Sequence, residues 1–584
     1  MAGRNDGTLI SVIDRTQTPM GGRLLKKWIN RPLKKVQPIE ERLSAVRELF
    51  DQESVCHNVR EELRQIGDLE RLIARIATGR ANPRELNQLR EFLGRIPHLS
   101  ASLGPLRTPG LVLLREQLQP LPDIVHAIES AITLDPPLAL NEGGIIRKGY
   151  NAELDELRTL AHSGKDWIAR LQDQERRRTG ITSLKVGYNN VFGYYIEVTH
   201  THKEKIPQDY IRKQTLTNAE RFVTPELKEY EEKILHAEEK ILTLETRLFD
   251  EIRERVAGRA AEIQQDAELI ATIDCYASLA GVAREYDYAC PRVDESKRIE
   301  IKKGRHPVIE RLLPPGEQYT PNDTLLDAES DQILIITGPN MSGKSSYLRQ
   351  VGLITLLAQI GSFVPAEVAH IGIVDKIFTR VGASDNIASG ESTFLVEMHE
   401  AANIVNTATN RSLILLDEVG RGTSTFDGIS IAWALTEYLY ERLGARTLFA
   451  THYHELNELA ERYPRIKNYK VDVREYDEKV VFLHKVIPGF ADHSYGIQVA
   501  QLAGLPEEVT ERAKVILRNL EGSDLSFGEG KKEREKGRLG GELQMTLFEI
   551  KDDTLREELK KIDVDKLTPL EALQRLAELK KKLG

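Results

Sequence analysis

Residues 333–346 read ILIITGPNMSGKSS: an apolar run that reads as a strand, then a glycine-bracketed loop, then Lys344 and Ser345. The spacing Gly338-x4-Gly343-Lys344-Ser345 after a strand predicts a helix at the loop's end, the context a phosphate-cradling loop requires. Glycines let backbone N–H groups converge on phosphate oxygens, and the helix N-terminus adds partial positive charge. Lys344 is then the side chain to reach the β/γ-phosphates, and Ser345 the one to ligate Mg²⁺.

Two further strand ends point the same way. LILLDE, 413–418, is an apolar strand closing on Asp417, suited to metal positioning, and Glu418, suited to polarising an attacking water. RTLFATHYHE, 446–455, delivers His452 where it could sense the γ-phosphate. From about residue 296 the chain thus reads as α/β. No arginine finger is evident: Arg421, in DEVGRGTSTFDG, sits between two glycines and suggests a turn. A second subunit is therefore expected to complete the site.

Working outward, residues 1–145 read as helical, with long apolar-periodic segments such as SVIDRTQTPMGGRLLKKWI, 11–29. Two coiled-coil seams follow. Leu154, Leu157, Ala161, Gly164, Ile168 and Leu171 step by 3-4-3-4-3. Leu227, Tyr230, Ile234, Ala237, Ile241, Leu244 and Leu248 do the same. Two seams joined by a compact insert predict an antiparallel pair with something at its tip. The insert, SLKVGYNNVFGYYIEVTH, alternates and carries a turn near Asn189-Asn190, so it reads as a small antiparallel sheet.

The net charge of −9 conceals a local excess of the other sign. From Arg176 to Thr215 eight Lys or Arg meet three acids, net +5, which leaves −14 for the remainder. A solvated face is the usual fate of such a run. On a long arm it is also placed to touch a polyanion, and Lys185, Asn189, Arg212 and Lys213 are the candidates for sequence-blind backbone contact with double-stranded DNA. Several domains are required by 584 residues. No apolar stretch approaches the ~20 residues of a membrane helix. Cys56, Cys275 and Cys290 lack CxxC spacing and read as reduced thiols.

ITGPNMSGKSSYLRQ, GESTFLVEM, LLDEVGRGTSTFDG and ATHYHEL, in this order, resemble the ATPase domain of the MutS family of DNA mismatch repair proteins, a relative of the ATP-binding cassettes. DGTLISVIDRTQTPMGGRLLKKWI resembles the family's helical core, and SLKVGYNNVFGYYIEV with RKQTLTNAERFVTPELKEYE its clamp. The resemblance implies ATP or ADP with Mg²⁺ as ligands. Gly338, Pro339, Asn340, Met341, Ser342, Gly343, Lys344, Ser345 and Ser346 would form the loop, with His452 as switch histidine. It implies that Ser392 of GESTF reaches the γ-phosphate of the opposite subunit. Tyr319 and His484 would sandwich the adenine; without the resemblance they read as a loop aromatic and a strand histidine. Gln544, Leu547 and Phe548 of QMTLF resemble a peptide that docks on the replication sliding clamp, a hydrophobic helix lead-in being the plainer alternative.

The implied architecture is multidomain α plus α/β. A helical core (1–145) is followed by an arm helix (146–181), a β clamp (182–224), a second arm helix (225–260) and a core return (261–295). Then come an ABC-like ATPase (296–505), a helical dimerisation element (506–521), a polar linker read as disordered (522–543) and oligomerisation helices (544–584). The family's mismatch-reading domain, with its Phe-x-Glu element, and its connector domain find no counterpart here, and shortening at the N-terminus is the expected reason. The implied function is a cytoplasmic, nucleoid-associated, DNA-dependent ATPase. It would act as a homodimer, with pairing into tetramers left open, and with a MutL-like partner. A paralogue that holds recombination junctions and a scaffold with a regulatory ATPase are the competing readings.

Overall fold

A computed structural model of the protein describes residues 7–189, 193–381, 392–476, 479–490 and 495–528. From Leu9 to Ala131 the chain is helical, as expected. The apolar-periodic segment 11–29 is divided between two helices, Leu9–Ile13 and Pro19–Asn30. Thr18 caps the second, its hydroxyl accepting from the Gly21 N–H at 3.0 Å, and Pro19 fills the first-turn position where a missing N–H costs nothing. The break is pinned by buried Asp274, whose carboxylate accepts from the amides of Gln17 (2.9 Å) and Thr18 (2.7 Å) and from the Thr18 hydroxyl (2.7 Å). Asp274 lies on the helix Ala260–Glu285, which is apolar on nearly all sides and forms the axis of the helical region.

The helices Ala152–Thr179 and Pro225–Ala257 pack along one another and extend ~42 and ~50 Å at 1.5 Å per residue. Leu154, Leu244 and Leu248 are buried in the large helical core, whereas Ile168, Leu171 and Leu227 belong to a small core at the far end. The pair is therefore antiparallel. Trp167 stacks on Tyr230, centroids 3.5 Å apart. Polar groups interrupt the seam where Glu245, fully buried, pairs with Arg158 and accepts from the Ile145 N–H at 3.2 Å.

Between the two helices lies an antiparallel sheet of order β1-β2-β4-β3, formed by β1 (Lys185–Asn189), β2 (Gly193–Thr199), β3 (Ile211–Thr215) and β4 (Ala219–Val223). Ile181, Leu184, Ile196, Val198 and Phe222 fill its core. Asn190 of the expected turn lies outside the described residues.

Two sheets make up the α/β region. A small one has the order β5-β9-β6-β7, from β5 (Arg292–Asp294), β6 (Arg298–Gly304), β7 (Asn322–Asp327) and β9 (Val368–Gly372). The larger contains β8 (Ile333–Thr337), β10 (Ile377–Arg380), β11 (Leu413–Asp417), β12 (Arg446–Ala450), β13 (Ile466–Tyr476) and β14 (Lys479–Pro488). Its order is β10-β11-β12-β8-β13-β14, parallel except for β14. Every residue of β8, β11 and β12 is buried, as strands covered on both faces must be.

The helix Lys344–Gln359 leaves β8 and ends against the helical region. There the Gln359 amide donates to the carbonyls of Leu33 (2.7 Å) and Val374 (3.0 Å), and its oxygen accepts from the Val374 N–H (2.7 Å). Arg42, stacked 3.6 Å over Trp28, donates to the Ile360 carbonyl at 3.0 Å.

The chain from Glu507 belongs to a second unit, of which the structure describes residues 507–528. Its helix Glu507–Gly528 runs beyond residue 521, so the start of the expected disordered linker is helical. No proline interrupts EEVTERAKVILRNLEGSDLSFG, and the internal Gly522 costs only about 1 kcal/mol, too little to end a helix. Gln544, Leu547, Phe548 and the expected C-terminal helices lie outside the described residues. Among the described residues no helix is long and apolar enough to cross a membrane.

Candidate nucleotide site

Strand register brings the expected residues together. Asp417 pairs with Ala450 and Ala450 with Ile336, so β11, β12 and β8 end side by side. The loop 338–343, Asp417-Glu418 and Thr451-His452 therefore emerge from one crevice at the carboxyl ends of parallel strands, where ligands of such sheets bind. Six non-glycine residues among those described have positive φ, and three border this crevice: Met341, Glu418 and His484. Such backbone costs about 1–3 kcal/mol each and persists where the surroundings impose it.

The loop closes on its own lysine. Lys344 is 4 % exposed, and its ammonium donates to the carbonyls of Gly338 (2.7 Å) and Pro339 (2.9 Å). Burial pushes its pKa down to about 8, against the pull of Glu418 and Asp417. Gly343 has φ +101°, and a Cβ there would lie 3.2 Å from His484 Nδ1, so glycine alone fits. Ser342 is buried, its hydroxyl on the Pro339 carbonyl at 2.8 Å. Ser345 and Ser346 lie half-buried in the helix's first turn, while Asn340 and Met341 stand exposed at the rim.

His452 Nε2 lies 2.8 Å from Asn340 Oδ1, 2.7 Å from Glu418 Oε1 and 3.5 Å from Lys344 Nζ. Glu418 also pairs with Arg421, the residue expected in a turn. Burial pushes the Glu418 pKa up, but the His452 hydrogen bond and the Arg421 charge outweigh it, and the net shift is downward. An ionised carboxylate able to accept a proton from water is thus held by two cationic or hydrogen-bonding neighbours.

Asp417 is 7 % exposed, and its Oδ1 has no hydrogen-bond partner. Burial raises its pKa, with the Ser345 hydroxyl opposing. A buried carboxylate oxygen left unpaired beside a serine hydroxyl suits a hard divalent cation. Mg²⁺ takes few protein ligands and fills its shell with phosphate oxygens and water. Among the described residues no cluster of three or more His, Cys, Asp or Glu offers an all-protein alternative. A cleft of about 390 Å³ opens on this side, lined by Ser345, Arg349, Asp417, Glu418, Arg421 and Thr393.

Tyr319 and His484 are joined through a residue the sequence reading passed over. Asn322 donates to the carbonyls of Thr320 (3.2 Å) and His484 (2.9 Å) and accepts from the Val486 N–H (2.8 Å), tying the Tyr319 loop to β14. Tyr319 donates to Gln350 Oε1 at 3.0 Å, and His484 Nδ1 lies 2.8 Å from the Ser342 carbonyl. Asn322 stands three residues past Tyr319 in QYTPND, and only its position gave a signal. Ser392 is exposed and caps the helix Thr393–Thr407, its hydroxyl accepting from the Leu395 N–H at 3.2 Å.

At the far end of the long helices, the basic excess is partly countered by acids that fold back on it. Arg178 pairs with Glu175 and Asp209, and Lys203 and Arg212 lie 3.6 and 3.8 Å from Glu220. Lys185 and Lys213 are exposed and pair with no described acid, and Asn189 is half-buried at the end of β1. The linear count missed Glu220 because it lies just past the basic run and returns to it by strand pairing.

Comparison with known proteins places these elements. MutS domain III matches residues 1–280, MutS domain V residues 334–521, and the DNA mismatch repair protein MutS C-terminal region residues 549–582. The DNA mismatch repair protein MutS of Salinibacter ruber is 54% identical over 612 residues, covering 99% of this chain and 67% of that protein. The protein of the same name from Bacteroides fragilis is 53% identical over 585 residues, with 99% and 68% covered. That of Acetivibrio thermocellus is 50% identical over 580 residues.

Proposed function

The chain belongs to the MutS family of DNA mismatch repair proteins, and we propose that it works as a dimeric, ATP-driven clamp on duplex DNA. The observation that carries this reading is the convergence of Lys344, Asp417, Glu418 and His452 at three adjacent strand ends.

Lys344 and the loop from Gly338 to Ser346 hold the phosphates of ATP, and of ADP after turnover. Ser345 and Asp417 would hold Mg²⁺, which would neutralise phosphate charge there. Glu418 accepts a proton from the attacking water, and His452, touching Asn340, Glu418 and Lys344 at once, registers whether the γ-phosphate is present. Tyr319 and His484 flank the adenine. Lys344 leaves its loop carbonyls for the incoming phosphate, which offers a buried ammonium a full countercharge.

Ser392 reaches the triphosphate bound by a second chain. Exposed apolar side chains on the segments bordering the site support such a partner: Met341 is 79% exposed, Phe426 76% and Leu395 46%. The domains divide as the sequence suggests, with residues 1–145 and 261–295 as core, 146–181 and 225–260 as coiled-coil arms, 182–224 as clamp, and 296–505 as ATPase. Residues 506–521 serve dimerisation. Lys185, Arg212, Lys213 and Asn189 meet the DNA backbone, while no residue of this chain is assigned to reading the mispaired base. Gln544, Leu547 and Phe548 dock on a replication sliding clamp, and a MutL-like protein receives the signal on chromosomal DNA in the cytoplasm, with pairing of dimers into tetramers left open.

Because sites and clamps lie on one body, DNA and nucleotide must change each other's affinity by the same factor. Titrating ATP analogue with and without duplex DNA, and DNA with and without analogue, tests this. Equal, non-unit factors are expected. Affinity and turnover indifferent to DNA would refute the coupling.

A further inference from the structure

The Gly420 peptide is gripped from both sides. Its N–H donates to Glu397 Oε1, and its carbonyl accepts from the Tyr453 hydroxyl at 2.9 Å. Glu397 belongs to the helix headed by Ser392, Tyr453 directly follows His452, and Gly420 lies two residues past Glu418. One peptide unit thus ties the Ser392 helix, the Glu418 loop and the His452 segment together.

The grip is tight. Glu397 is 3% exposed, and its second oxygen pairs with Arg380, 5% exposed, at 3.2 Å. Arg380 also reaches Glu400 on the same helix at 3.1 Å. Both oxygens of Glu397 are thus engaged, one by the Gly420 amide and the other by the Arg380 guanidinium. Gly420 (φ +95°) packs on Gly428, where a Cβ would meet its carbonyl at 2.7 Å. A Cβ on Gly422 would lie 2.8 Å from the Phe394 Cβ, so helix and loop approach closely at this point too. Close-packed elements of this kind shift together rather than deform.

We propose that Glu397 is a positioning residue that couples the two nucleotide sites of a dimer. It fastens the loop bearing Glu418 to the helix headed by Ser392, so that docking of Ser392 on the partner's triphosphate sets the placement of Glu418 at its own site. The inference rests on the reading of Ser392 as a contact to the second subunit. In the arrangement described, Glu418 is held by Arg421 and His452. A displacement of the Ser392 helix passes through Glu397 to the Gly420 peptide, and from there to the two residues on either side of it that surround the reacting water.

The test uses full-length dimers carrying Glu397→Ala, Glu397→Gln or Ser392→Ala, read by ATP-analogue affinity, kcat, KM and the dependence of rate on ATP concentration. Glu397→Ala is expected to leave analogue affinity close to that of the unaltered protein. It should lower kcat about a hundredfold, the scale of an about 1 Å misplacement, and abolish the influence of one site's occupancy on the other's rate. Glu397→Gln keeps an acceptor for the Gly420 N–H and should recover most of kcat. An unchanged kcat in Glu397→Ala, or parallel loss of affinity and kcat with no recovery by Gln, would overturn the proposal. Should Glu397→Ala fail to fold, Gly422→Ala, which wedges Phe394 from the loop, must give the same kcat loss at retained affinity; normal kcat there overturns it too. If Ser392→Ala lowers turnover while Glu397→Ala does not, the coupling alone fails. If Ser392→Ala is inert while Glu397→Ala is slow, the shared-site reading fails and the coupling goes with it.

Discussion

Replacing Gln359 by alanine should loosen the joint between the helix Lys344–Gln359 and the helical region. The helix from Lys344 to Gln359 is ~24 Å long, with the candidate site at one end and Gln359, 2 % exposed, at the other. Gln359→Ala removes three side-chain hydrogen bonds, two to the backbone of Val374 and one to the Leu33 carbonyl. The Val374 groups are buried, and each left unpaired costs about 1–3 kcal/mol; the part-buried Leu33 carbonyl adds less, for roughly 3–5 kcal/mol in all. The Leu33 N–H keeps its bond to the Gln359 carbonyl at 3.0 Å, so the segments stay together but lose their register. Urea unfolding measures the loss, and amide exchange at Val374 localises it. The functional consequence is sharper: ATP affinity without DNA should hold, while the factor by which DNA alters it should shrink. A loss below about 1 kcal/mol with the coupling factor intact would refute the joint, since buried groups cannot lose partners so cheaply.

Asp266 is fully buried, its Oδ1 on the Gln119 N–H at 2.9 Å and its Oδ2 without a partner. Burial pushes its pKa up to about 6 from 3.8, so above pH 6 the folded state carries a charge it disfavours. Two pKa units are worth about 3 kcal/mol, so Asp266→Asn should stabilise the protein by that order above pH 6 and by nothing below about pH 4, where the carboxyl is protonated in both states. Urea midpoints across pH check it; a gain independent of pH contradicts it. Glu418→Gln should keep ATP-analogue binding and slow hydrolysis about 10²–10⁴-fold, whereas Lys344→Ala should lose binding itself; single-turnover assays separate the two. Lys185→Ala and Lys213→Ala should each reduce the salt slope of DNA binding by about 1 on every duplex. Arg212→Ala should do less, because Glu220 already shares its charge. An effect confined to one DNA sequence would exclude backbone contact.

The parts legible in the sequence are those whose signal is local. ILIIT, LILLD and RTLFA declare buried strands by composition, and glycines at fixed offsets mark the loop between Gly338 and Lys344. The 3-4 stepping of Leu154 to Leu171 and of Leu227 to Leu248 describes one apolar stripe on each long helix, and Leu154, Ala161, Ile168 and Leu171 on the first and Leu227, Ala237, Leu244 and Leu248 on the second are buried. What escaped was set by partners distant along the chain. The break before Pro19 is held by Asp274, the Gly420 peptide by Glu397, and the end of the helix Lys344–Gln359 by Leu33 and Val374. Glu245 interrupts the seam because Arg158 and the Ile145 amide meet it, which no periodicity reports. Of the candidate site, residue identities were readable, but the sharing of His452 among Asn340, Glu418 and Lys344 depends on strand register.

The most direct test of a triphosphate shared between two chains mixes inactive variants. Ser392→Ala dimers lack the trans contact at both sites, and Lys344→Ala dimers lack the phosphate ligand at both. Random pairing makes half the molecules mixed, each with one site that has both its own Lys344 and the partner's Ser392. The mixture should therefore recover about a quarter of the tight ATP-analogue sites of the unaltered protein, while turnover there stays slow because the nucleotide-bearing chain lacks Ser392 and faces an empty partner. Full hydrolysis by Ser392→Ala alone, or no recovery of tight sites on mixing, would contradict the account.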